Sequence, residues 1–114
     1  MLPCPRSAVI NRLGGSSHFT RTDVSSYDSF RDAFTQALDL STNSTRQPRL
    51  DYLINNAGIT HLPAPMEEVS EDDFDRVFAV NCKSVYLTAR ALVPHFKAAN
   101  AGCILNIAST AGVI

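Results

Sequence analysis

The chain of 114 residues lacks several features that would decide its class at once. It has no run of about 18 apolar residues of the kind that crosses a bilayer. Its net charge is -1, so no global basic field argues for nucleic acid. Met1 to Ile10 carries one Arg and only a broken apolar stretch, which is not a signal-peptide pattern. The cysteines, Cys4, Cys82 and Cys103, are odd in number and far apart. They give neither a disulfide framework nor a CxxC metal site, and they read as free thiols in a reducing, cytoplasmic setting. His18, His61 and His95 show no ligand spacing, so no metal is expected. What remains is ordinary for a globular protein: 45% hydrophobic and 18% charged residues, enough chain for one small domain.

The organising stretch is Leu50 to Thr60, L-D-Y-L-I-N-N-A-G-I-T. Four of its first five residues are apolar or aromatic, and polarity changes at once at Asn55-Asn56-Ala57-Gly58. Such a run predicts a buried parallel strand with a polar corner at its carboxyl end. In open α/β sheets that end is where ligands bind. An ordinary Asn/Gly turn after a strand is an equal alternative from this stretch alone. Cys103 to Ala108 (C-I-L-N-I-A) is a second strand-like run, and Ser109-Thr110-Ala111-Gly112 follows it. Ser109 is placed either to bond a substrate oxygen or simply to open a turn.

Elsewhere the pattern is mostly structural. Arg6 to Leu13 reads as the tail of a helix stopped by Gly14-Gly15. His18 to Val24 alternates and predicts a short strand. Asp23 at its end suits a turn cap or a ligand amine. Ser25 is placed to cap the next helix, whose apolar stripe is Phe30, Ala33, Phe34, Ala37 and Leu38. Ser41 to Arg49 reads as a polar loop, and His61 to Pro65 as an exposed one. Ser70-Glu71-Asp72-Asp73 starts a helix whose apolar positions persist for about 27 residues. Asn81 lies on that apolar stripe, where it must find partners. It either bonds backbone and bends the helix or lines a site. Pro94 predicts a kink near the end of this helix.

These residues resemble the short-chain dehydrogenases/reductases. Asn55-Asn56-Ala57-Gly58 after an apolar strand matches the family's N-N-A-G signature. Asp23-Val24 matches its Asp-Val, Val80 to Ser84 looks like the helix segment with the catalytic Asn, and Ile104 to Gly112 looks like the strand that delivers the catalytic Ser. The matches come in the family's order over about residues 6 to 114. The resemblance implies an α/β fold: a partial Rossmann-type doubly wound parallel sheet holding strands 3, 4 and 5. Strands 1 and 2 and everything after strand 5 would be lacking. It also implies a single incomplete dinucleotide-binding domain over 1–114. Ser109 and Asn81 would be the catalytic residues. Asp23, Val24, Asn55, Asn56, Ala57 and Gly58 would hold NAD or NADP. The substrate would be a small carbonyl/alcohol compound, with no nucleic acid and no membrane as partner. Full-length members of the family are usually homo-oligomers.

Two parts of the family pattern are missing. No Tyr in the chain has a Lys four residues on, so the family's Tyr-x-x-x-Lys acid/base pair is absent. The glycine-rich turn that offers a helix N-terminus to the pyrophosphate is absent too, since Gly14-Gly15 has no strand before it. The expectation is therefore an internal fragment of a longer enzyme, marginally stable and without dehydrogenase activity alone. The alternative is a non-catalytic module of the same descent that binds or dimerises through its open sheet edge.

Overall fold

The computed structural model describes residues 5–41 and 48–109. Four helices and two strands carry the fold. They are α1 (Pro5–Arg12), α2 (Tyr27–Ser41), β1 (Tyr52–Asn55), α3 (Glu71–Phe78), α4 (Ser84–Ala99) and β2 (Cys103–Asn106). The strands pair in parallel, with Leu53 opposite Ile104 and Asn55 opposite Asn106. Parallel strands need a long crossover, and α3 and α4 supply it. The pairing is flanked by two backbone bonds, Cys103 N–H to Asp51 O and Ile107 N–H to Asn55 O, both 2.9 Å.

Local chemistry explains the element ends. Gly14, at φ +86°, closes α1, and the Gly15 N–H reaches back to Ile10 O at 3.0 Å. Ser70 caps α3 by accepting from the Asp73 N–H at 3.1 Å. The Arg76 guanidinium and then the Ser70 hydroxyl bond Asp73 and hold its carboxyl below the usual range. Asn100, at φ +49°, ends α4 in the left-handed region, where Asn is tolerated better than most residues. Gly102 follows at φ +144°, and a Cβ there would lie 2.2 Å from Phe96 Cγ. Gly102→Ala therefore combines backbone strain with a clash at the root of the ring. It is expected to cost about 1–3 kcal/mol, read as a lowered urea midpoint; an unchanged midpoint would contradict this turn.

Three sequence expectations change. His18 to Val24 forms no strand; residues 15–23 are irregular, and β1 and β2 are the two strands among the described residues. A strand needs a ladder, and among the described residues no strand stands beside this segment. Side chains tether it instead. Ser17 N–H donates to Asn11 Oδ1 at 2.7 Å, and Thr20 Oγ1 to Gln36 Oε1 at 3.1 Å. The cap of α2 is Ser26, whose Oγ accepts from the Ser29 N–H at 3.4 Å, and not Ser25. Ser25 is held by Asp23, as described below. The long helix is not uniform either: Ala79–Lys83 widens into one π-helical turn between α3 and α4. The chain stays helical through Pro94 to Ala99.

Packing is thin. Helix α4 lies against α2 and β2, and Leu87 and Leu92 are its buried apolar residues. Phe34 on α2 meets the His95 ring edge-on at 5.7 Å, and Arg90 sits 4.6 Å over the Tyr27 ring. Leu53 and Ile104 are half-buried. On the other sheet face Tyr52, Ile54 and Leu105 are each more than half exposed, as is Ile107 just past β2. Cys82 and Cys103 are free thiols; Cys4 lies outside the described residues, as do most of the loop over 41–49 and residues 110–114. No described helix is long and apolar enough to cross a membrane.

Candidate active site

The carboxyl ends of β1 and β2 open into one cleft of about 610 Å³. From the loop after the first strand it takes Asn56, Ala57, Gly58, Ile59 and Thr60; from the segment after the second, Ile107, Ala108 and Ser109. Asn81 enters from the helical crossover. The parallel register forces this meeting, because both strands end at the same level. The volume is that of a typical small-molecule site.

Asn81 holds one wall in place. Its Oδ1 accepts from the Ile59 N–H and its Nδ2 donates to the Ile59 O, each at 2.9 Å. The two sequence alternatives for this residue therefore combine. Its amide satisfies backbone groups, but those of the loop after β1, and it lines the cleft while doing so. Its position in the π turn gives it this reach, since the wider turn pushes one residue out of the regular helical ladder. Inside the helix Ser84 Oγ donates to Val80 O at 2.5 Å.

Gly58 faces Asn81. A Cβ on Gly58 would meet only Asn81 Oδ1, at 3.8 Å. The glycine thus leaves that side of the cleft open without being demanded by a positive φ. Ser109 is exposed and lines the opposite side. Asn55 is placed differently from its neighbours. Its side chain turns sideways, and Nδ2 donates to Asn106 Oδ1 at 2.8 Å.

Asp23 and Val24 do not line the cleft. Asp23 Oδ1 accepts from the Ser25 hydroxyl at 2.6 Å and from the Ser25 N–H at 2.9 Å. Those bonds, the hydroxyl's first, hold its carboxyl below the usual range. Asp23 thus makes the turn cap that is one of its two sequence readings. Four residues of the lining, Ile59, Thr60, Ile107 and Ala108, escaped the sequence reading, as did Asn106 beside it. Ile59 meets Asn81 through its backbone, which leaves no mark in sequence. Asn106 is a polar break within C-I-L-N-I-A, and that break was the available signal.

The sequence model of the family described as short chain dehydrogenase matches residues 6–114. The chain belongs to that family. A cyclopentanol dehydrogenase of Comamonas sp. (strain NCIMB 9872) is 38% identical over 107 residues, which cover 94% of this chain and 40% of that protein. A solved metagenomic short-chain oxidoreductase in complex with NADP superposes with a TM-score of 0.79 at 32% identity, over 90% of this chain and 44% of the other. An NAD+-bound xylitol dehydrogenase gives a TM-score of 0.77 at 27% identity, over 94% and 39%. The chain thus spans about 40% of the length of such curated relatives.

Proposed function

We propose that the cleft is the nicotinamide end of an NAD- or NADP-dependent oxidoreductase site that interconverts a small carbonyl compound and its alcohol. One observation carries the reading: the Asn56–Gly58 corner, Asn81 and Ser109 converge on a single cleft, although they are far apart in sequence. The NADP- and NAD+-bound neighbours support the choice of cofactor class. The bound nicotinamide would supply or accept the hydride. The chain's own groups do the rest. The Ser109 hydroxyl donates to the substrate oxygen and orients it. The backbone of Asn56 to Gly58 forms the floor. Asn81 keeps that floor at a fixed distance from the helix. Asp23 and Val24 are assigned to the adenine end by resemblance, away from this cleft. The unit is a single, incomplete dinucleotide-binding domain.

Proton transfer is the step this chain does not supply, because no Tyr is followed at four residues by Lys. The chain alone is therefore expected to show no NADH or NADPH oxidation with a panel of ketones. Millimolar NADH or NADPH is nonetheless expected to perturb the amide resonances of residues 56–60 and 107–109 in 15N–1H NMR spectra. Silence of those resonances toward both nucleotides would refute the proposal; turnover by the isolated chain would refute the absence of a proton-transfer group in it. The open sheet face with Tyr52, Ile54, Leu105 and Ile107 favours a second reading, a non-catalytic dimerisation module. A folded, monodisperse oligomer in gel filtration that ignores both nucleotides would support it.

A further inference from the structure

We infer that Asn106 is a positioning residue of this site, acting through the side chain of Asn55. The inference rests on the cleft described above and assigns a role to a residue outside its lining. Asn55 and Asn106 are the last register pair of the sheet. Immediately after Asn55 the chain becomes the Asn56–Gly58 floor; three residues after Asn106 comes Ser109. The bond from Asn55 Nδ2 to Asn106 Oδ1, at 2.8 Å, therefore ties the two walls together at their roots.

Backbone alone holds this end loosely. Just beyond the pair, Ile107 N–H donates to Asn55 O at 2.9 Å. Among the described residues this parallel pair of four-residue strands has no third strand beside it to stiffen it. Without the amide link, the carboxyl end of the strand pair loses one of its ties, and fraying there displaces the corner relative to Ser109. An apolar residue at 106 would suit a strand equally well by propensity. What it lacks is an acceptor for Asn55.

Residue-resolved amide exchange on the full chain tests this. Ile107 N–H reports the linked end, and Cys103 N–H, bonded to Asp51 O at 2.9 Å, reports the far end. Asn106→Ala is expected to speed exchange at Ile107 about fivefold. Cys103 should be unchanged, while the Gly58 and Ser109 amide resonances move. Asn106→Asp keeps an acceptor for Asn55 Nδ2 and is expected to restore the protection at Ile107. Equal loss at Cys103 and Ile107, including outright unfolding, would mean general weakening and would overturn the inference. So would an unaltered Ile107, a failure of Asn106→Asp to rescue, or an unsubstituted chain with neither amide protected. None of these measurements uses a nucleotide. A failure of NADH to perturb the cleft would remove the proposed function and leave the exchange pattern to be judged separately.

Discussion

Leu92→Ala is expected to remove most of the stability this chain has. Leu92 is 3% exposed and Leu87 4%, and they are the buried apolar side chains among the described residues. Truncating a buried Leu costs about 2–5 kcal/mol, through lost transfer energy plus the cavity left behind. There is little to absorb that loss. The chain exposes 9163 Å², against about 6,100 Å² for a compact protein of this size. Its radius of gyration is 16.9 Å, where about 13 Å is usual. Stability at the low end of the normal range would be only about 6 kcal/mol for this length. The same substitution at Leu62, which is 87% exposed, is expected to change it by less than about 0.5 kcal/mol. Thermal unfolding followed by circular dichroism distinguishes the two variants. Equal effects at 92 and 62 would mean that α4 is not the core helix.

Asn81→Leu should have the largest effect on the site itself. It deletes both bonds to Ile59, so the loop from Asn56 to Thr60 loses its tie to the helix. Each bond is worth about 0.5–1.5 kcal/mol net, and both are partly solvated. The expected loss is thus about 1–3 kcal/mol, with exchange at the Ile59 amide rising to the rate of an open loop. Asn81→Asp separates the two bonds. An ionised carboxylate still accepts from the Ile59 N–H but has nothing to donate to the Ile59 O. Its protonated form regains a donor, so the tie should strengthen as pH falls, opposite to most carboxylates in a fold. Denaturant midpoints at two pH values, with the Ile59 amide as local probe, read both effects. If Asn81→Leu left Ile59 as protected as before, the clamp would not exist.

The central strand, its parallel partner and the acid-rich helix start were legible because each is encoded within a few residues. Apolar runs ended by Asn-Gly or Ser-Thr mark β1 and β2. Ser70 followed by three acidic residues marks α3. The Gly14-Gly15 stop of α1 was read from the same kind of local rule. Misreadings arose where the deciding partner lies elsewhere. His18 to Val24 alternates like a strand, yet alternation only qualifies a segment for pairing, and among the described residues no strand is there to pair with. Ser25 and Ser26 are equally good caps by type. Asp23 takes Ser25, and Ser26 is left for the helix.

The sequence by itself determined the family, the two strand ends and the residue types that line the cleft there. Those properties follow from order along the chain and from local pattern. Only the tertiary structure decided how those residues are used. It turned Asn81 toward the Ile59 backbone, bound Asn55 to Asn106 across the sheet, and kept Asp23 and Val24 out of the cleft. A side-chain amide or carboxylate has several possible partners of similar strength, and pairing among them is chosen by which backbone groups the packed helices and strands bring within 3 Å or so.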